Sequence, residues 1–169
     1  MKQATCRTTR PREAGFSLIE LLVTIGIMSI LLAAGLPAML KHTGTANLKK
    51  ATDEVVGTLK LARQRAVATS SSVVVQFDLE DANFYVFDDL NENGVRDDGE
   101  TMAGPYGIPN GIALAEVGFA SDRVTFGPRG SASESQAVVL RNAGSNAQRV
   151  DVIAASGLIY VSEIYRLSG

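Results

Sequence analysis

From Leu21 to Leu40 the sequence carries no charge, and its only hydroxyl side chains are Thr24 and Ser29. A run of about 20 apolar residues is what a helix needs to cross the hydrocarbon core of a bilayer. One carboxylate, Glu20, stands at the start of the run. A charge at the end of an apolar segment has two readings. It marks the membrane edge, where charged residues often begin such helices. Or it is a functional group, because a carboxylate inside hydrocarbon costs at least a few kcal/mol and persists only with a partner.

The flanking residues narrow the choice. Lys2, Arg7, Arg10 and Arg12 precede the run against the single acid Glu13. A short basic lead of this kind stays on the cytoplasmic side. A secretory signal places its small-residue cleavage site after the apolar region. Here the small residue, Gly15, comes before it, so a cut between Gly15 and Phe16 leaves the apolar helix on the mature chain.

Gly15-Phe16-Ser17-Leu18-Ile19-Glu20 resembles the class III signal of type IV pilins and type II secretion pseudopilins. The basic leader, the Gly, the Phe, the Glu and the apolar run all match that family's pattern. Pro37 falls where many pilins carry a helix-bending proline. The resemblance implies that a prepilin peptidase of the inner membrane cuts after Gly15 and methylates the new Phe16 amine. It also implies that Glu20 pairs with the N-terminal amine of a neighbouring subunit in a helical filament. A buried carboxylate needs a cationic partner, and that amine is one.

The chain has 169 residues and a net charge of −2. Residues 1–15, the cleavable leader, contribute +3, so the mature side chains carry −5. Such a product has no global attraction to nucleic acid. Beyond 16–40, the assembly helix, roughly 125 residues remain, enough for one domain with a true core. The single cysteine, Cys6, lies in the leader, so the mature chain forms no internal disulfide.

Leu48, Ala51, Val55, Leu59, Ala62 and Ala66 recur at steps of three or four, with Lys49, Lys50, Asp53, Lys60, Arg63 and Arg65 largely off that line. This is the stripe of an amphipathic helix. Residues 41–70 therefore continue the helix, giving one long element from Phe16 to Thr69, bent or loosened near Pro37 and around Gly44. The Ser70-Ser71-Ser72 cluster ends it. Arg63 and Arg65 either hold an acidic partner or, more commonly for such residues, form a solvated face.

From 71 to 169 the period changes to two. Val73–Leu79 and Phe84–Phe87 read as strands joined by a hairpin at Asp81-Ala82-Asn83. Further β segments follow at Ile112–Val117, Arg123–Phe126, Ala137–Arg141, Arg149–Ala154 and Leu158–Tyr165, with turns at Gly104-Pro105, Pro109-Asn110-Gly111, Gly127-Pro128 and Asn142-Ala143-Gly144. The expected class is α+β: a long N-terminal helix packed by its stripe on an antiparallel β domain, pilin-like in plan.

The β region extends the resemblance. Val124, Phe126, Pro128 and Gly130, then Val138-Val139-Leu140, Arg149-Val150-Asp151-Val152 and Gly157-Leu158-Ile159 resemble the closing strands of the pilin subfamily holding pseudopilin H and the FimT minor pilins. Leu59–Ala66 is similar to its helix. Some FimT-type pilins bind DNA through a basic Gly-Arg-x-Arg motif. The matching stretch here is Gly157-Leu158-Ile159-Tyr160, without either arginine, and only Arg149 and Arg166 stand nearby. Phosphate binding needs several clustered cations, so nucleic acid is the weaker expectation.

Asp89 to Glu100 fits the EF-hand calcium loop at each fixed position. Asp89, Asn91, Asn93, Asp97 and Glu100 supply oxygens, Gly94 the turn and Val95 a backbone carbonyl. Hard oxygen donors favour calcium. A strand rather than a helix precedes the loop, and the competing reading is a polar hairpin connection built on Asx turns around Asn93-Gly94.

The only histidine, His42, lies just past the apolar run, far from the serines of the β domain, and Gly127-Pro128-Arg129-Gly130 reads as a turn rather than a phosphate loop. No nucleophile–base arrangement is legible, and no enzyme is expected. The sequence points to a structural subunit: a minor pilin or pseudopilin, single-pass in a bacterial inner membrane with its N-terminus cytoplasmic and its β domain periplasmic. It would then be built into a secretion pseudopilus or type IV pilus near the tip, alongside other pilins.

Overall fold

The computed structural model describes residues 16–167; the side chains of 34–42 lie outside that description, as do residues 1–15 and 168–169. The chain divides into two compact units, Met1–Met39 and Leu40–Gly169. Helix α1, Leu18–Thr69, begins in the first and ends in the second.

In the first unit α1 starts for a local reason. Ser17 is its N-cap: its backbone oxygen accepts from the amides of Glu20 and Leu21 at 3.1 and 3.2 Å, and its Oγ accepts from the Glu20 amide at 3.2 Å. Ser-x-x-Glu is the capping-box spacing, and an acid in the first turn opposes the positive end of the helix dipole. The two hydroxyls of the apolar run turn back on the helix, Thr24 Oγ1 donating to the Leu21 carbonyl at 2.9 Å and Ser29 Oγ to Ile25 at 2.8 Å. The surface is therefore left without an unsatisfied hydroxyl, as an apolar environment requires.

In the second unit α1 lays its predicted stripe on the β domain. Leu48, Ala51, Val55, Leu59, Ala62 and Ala66 are all essentially inaccessible. The helix stops where Ser70 enters the left-handed region at φ 51°, with Thr69 Oγ1 turned onto the Arg65 carbonyl at 2.8 Å. Among the described residues nine strands follow: β1 Ser72–Asp78, β2 Asn83–Asp89, β3 Met102–Gly107, β4 Ile112–Val117, β5 Arg123–Phe126, β6 Gln136–Asn142, β7 Asn146–Ile153, β8 Leu158–Val161 and β9 Tyr165–Arg166. They form two antiparallel sheets, ordered β3-β2-β1-β5 and β4-β6-β7-β8, with β9 also paired to β7.

One apolar core joins the helix to both sheets. Val73, Val75, Phe77, Phe84, Val124 and Phe126 come from the first sheet, and Val138, Leu140, Val150 and Val152 from the second. In β1, β5, β6 and β7 alternate residues supply this core (Val73 and Val75, Val124 and Phe126, Val138 and Leu140, Val150 and Val152), which is the period the sequence carries.

Two strand expectations need correction. The Gly104-Pro105 stretch read as a turn lies inside β3, an irregular strand whose register on β2 shifts between Phe84 and Val86. Its glycines and proline hide the alternation that marks a strand. The single strand expected at Leu158–Tyr165 is two. At Arg149 the amide bonds Ser162 Oγ at 3.0 Å instead of a backbone carbonyl, and the chain leaves the edge there before returning as β9.

Candidate functional site

The first candidate site is the start of α1. Phe16, Leu18 and Ile19 are 72% exposed or more, and every residue from Phe16 to Ala33 is exposed. Phe16, Glu20, Leu21 and Thr24 line a notch of about 220 Å³ beside the Glu20 side chain. An apolar face this long has no place in water and calls for a partner surface or a bilayer. Among the described residues no helix is long and apolar enough to cross a membrane; the described side chains of the run stop at Ala33. Gly15, and with it the bond expected to be cut, lies outside the described residues, as do residues 1–15 with Cys6, the side chain of Pro37 and that of His42.

The second candidate is the 89–100 loop. Asp89, at the end of β2, is 2% exposed and accepts from the amides of Asn93 at 3.0 Å and Gly94 at 2.8 Å. Asn91 and Asn93 both donate from Nδ2 to one oxygen, Asp97 Oδ2, at 2.7 Å. Positions three, five and nine of the pattern therefore meet at a point. Those two amides, Asn91 first, hold the Asp97 carboxyl below its ordinary value of 3.8 by favouring its charged form. Glu100 closes the loop, accepting from Leu90 N and Asp97 N at 2.9 Å each. Asx bonds from Asn93 N and Val95 N to the side-chain oxygens of Asn91 and Asn93 complete it. Arg123 on β5 clamps the loop from outside through the Gly94 carbonyl.

The loop is thus folded by its own polar groups, as the hairpin reading requires: Asn91 and Asn93 turn their amide nitrogens to Asp97, and the oxygens of Asp89, Asn91, Asn93 and Glu100 are taken up by backbone amides. Among the described residues no three His, Cys, Asp or Glu side chains gather as a metal-holding group. An ion here would need the two asparagine oxygens as ligands in addition to the three carboxylates.

Arg63 and Arg65 are not a solvated face. Arg65 Nη2 bonds Asp88 Oδ2 at 2.6 Å, with the side chains only 31% and 13% exposed. Arg63 reaches the backbone carbonyls of Gly130 at 2.9 Å and Ser156 at 3.0 Å. Their partners lie 23 to 93 residues away in sequence, so no local pattern announces them. The capping box at Ser17–Glu20 did leave a local signal: its four-residue spacing is readable without coordinates.

Comparison with known proteins agrees with this geometry. A model of the family "Type II transport protein GspH" matches residues 51–157, most of the chain. The chain belongs to the GspH family. A second model, the prokaryotic N-terminal methylation motif, matches residues 10–36, across Gly15, Phe16 and Glu20. Among solved structures, this GspH-family chain is similar to the minor pseudopilin EpsH of the Vibrio cholerae type 2 secretion system, with a TM-score of 0.53 at 14% identity, covering 69% of this chain and 96% of that one. It is also similar to the type IV minor pilin FimU of Pseudomonas aeruginosa, with a TM-score of 0.54 at 17% identity, covering 72% and 92%. At these identities the likeness establishes the pilin-like fold. No curated protein matches the chain.

Proposed function

We propose that this GspH-family chain is a minor structural subunit, held in the inner membrane by residues 16–40 and then built into a periplasmic filament at or near its tip. The observation that carries the reading is the helix start: an exposed apolar face, capped at Ser17 and opened by one carboxylate, in a chain whose remainder is a closed, well-packed domain. Such a chain works by assembly. Prepilin peptidase would expose the Phe16 amine, and other pilin-type subunits would cover the apolar helix and pair Glu20. Secretion pseudopilus and type IV pilus share this chemistry.

Two observations support a minor rather than a DNA-receptor role. The 157–160 stretch presents Leu158 and Tyr160 to solvent, and the Arg149 guanidinium is already paired with Asp151 at 2.8 Å. For the 89–100 loop we propose calcium as the ligand, on the fit of Asp89, Asn91, Asn93, Asp97 and Glu100 to the calcium-loop spacing; binding would require the Asn91 and Asn93 amides to turn their oxygens toward the ion instead of their nitrogens toward Asp97. The test of the assembly reading is immunogold labelling of filaments sheared from a host that carries the machine. Label confined to filament ends is expected; label spread along the length overturns the tip position, and filaments without the chain overturn the reading.

A further inference from the structure

The two sheets have four edges, and three of them are blunted. On β3, Pro105 removes a donor and the register is broken between Phe84 and Val86. On β4, a bulge lies between Leu114 and Glu116, and Glu116 adds a charge. The outer side of β5 is covered by the returning chain: Ser133 N donates to the Thr125 carbonyl at 2.8 Å, and Phe126 bridges to Ala132. Such devices are how sheets avoid adding strands.

The fourth edge is shared along β7 by β8 and the short β9, and its β8 part carries none of them. From Val152 to Ser162 the chain has no charge and no proline, and β8 pairs with β7 in unbroken register from Ile153↔Leu158 to Val150↔Val161. Leu158 is 46% exposed, Tyr160 55% and Val161 41%, with Ile153 at 39% beside Leu158. The bond from Ser162 N to the Arg149 carbonyl at 2.9 Å fixes the parity of the ladder. Alternate residues then turn outward, so the N–H and C=O of Ile159 and Val161 point away from β7. An edge of this kind accepts an extended strand by backbone pairing, with Leu158 and Tyr160 gripping its alternate side chains. β8 also lies beyond residue 157, where the family model stops.

We propose that β8 is the docking edge for an extended segment of another pilin-type subunit, co-assembled beside this one; the inference rests on the filament-subunit reading above. The size of the edge selects that occupant. Four residues span about 13 Å, and pairing along them buries well under the roughly 1,000 Å² that a free-standing complex needs. The partner must therefore be held by a second contact, which filament packing supplies as a high effective concentration. A diffusing cargo protein or an isolated pair of these chains has no such support.

The test places a photo-crosslinking residue on this edge of the full chain, Tyr160→p-benzoylphenylalanine, in a host that assembles the filament, with Leu79→p-benzoylphenylalanine on the β1–β2 hairpin as the exposed control. The expected result is an adduct in sheared filaments joining Tyr160 to another pilin-type subunit. Its yield should fall about tenfold with Val161→Pro, which removes an outward donor that β7 does not use. Should Val161→Pro lower the melting temperature, Val161→Lys replaces it and acts by charge. Equal yields at positions 160 and 79, or insensitivity to both variants, in filaments that contain the chain overturn the docking edge and leave the subunit reading standing. The same adduct in detergent-dispersed chain, or adducts only with proteins lacking a pilin signal, also overturn it. Filaments without the chain overturn both.

Discussion

Arg65 on α1 and Asp88 on β2 meet at 2.6 Å, and the second carboxylate oxygen of Asp88 is buried without a hydrogen-bond partner. The pair ties the end of the helix to the strand that leads directly into the 89–100 loop. Asp88 depends on Arg65 for the only bond its side chain makes among the described residues. Arg65→Ala should therefore cost about 2 kcal/mol, between the values for exposed and buried pairs. The double variant Arg65→Ala/Asp88→Ala should cost less than the two single changes summed. Additive losses in chemical denaturation would mean that the pair carries no coupling.

Gly157 is the most crowded of the described glycines. Its φ is +59°, and a Cβ there would sit 1.9 Å from the Gly130 carbonyl oxygen and 2.8 Å from Arg63 Nε. Gly157→Ala should cost about 3 kcal/mol or more, combining left-handed strain with loss of the Arg63 bonds. Gly57, on the exposed side of α1 with open space around it, is the opposite case. Gly57→Ala should stabilise by about 0.5–1 kcal/mol. A similar melting temperature for the two variants would contradict the Arg63–Gly130–Gly157 contact.

The loop has an ionic signature. The folded carboxyl of Asp97 titrates below 3.8, so its contribution to loop order is present above that value and is lost as pH falls through the folded pKa. Amide resonances of 91–97 should stay sharp at pH 5 and broaden only below about 3.8. Broadening already at pH 5 would mean that Asn91 and Asn93 do not hold Asp97.

Calcium gives a separate readout. At 100 times the dissociation constant a bound ion stabilises by about 2.7 kcal/mol. Melting of the mature chain in detergent should rise accordingly in calcium over chelator. Glu100→Gln should abolish most of the rise, because a bidentate carboxylate closes such loops, while Glu92→Gln should not. Equal melting temperatures in millimolar calcium and in chelator would leave the loop a polar connection folded by its Asx turns.

Much of this molecule could be read before its coordinates. The stripe from Leu48 to Ala66 is buried along its whole length, and the helix end fell at Thr69 as expected. Both are local periodicities, and a period survives in one dimension. β3 did not announce itself, because Gly104, Pro105 and Gly107 erase the alternation that pairing with β2 would otherwise impose. Arg63 and Arg65, left between an acidic partner and a solvated face, could not be decided for another reason; the partner reading holds for Arg65. Their partners come from β2 and from two turns far along the chain, and charge on a helix looks the same whether it meets water or a carbonyl. The open edge at β8 needed the topology, since only the strand order makes it an edge.

A chain made as a precursor and matured into a filament subunit records that history in its intact mass. Protein purified from a host with an active prepilin peptidase should lack residues 1–15 and begin at an N-methylated Phe16. The same host without the peptidase should yield the full 169-residue chain. Full-length protein in both hosts, or a chain cut after Ala33 or Ala34, would contradict the account, because the apolar helix would then be a leader to be discarded rather than the element the filament is built on.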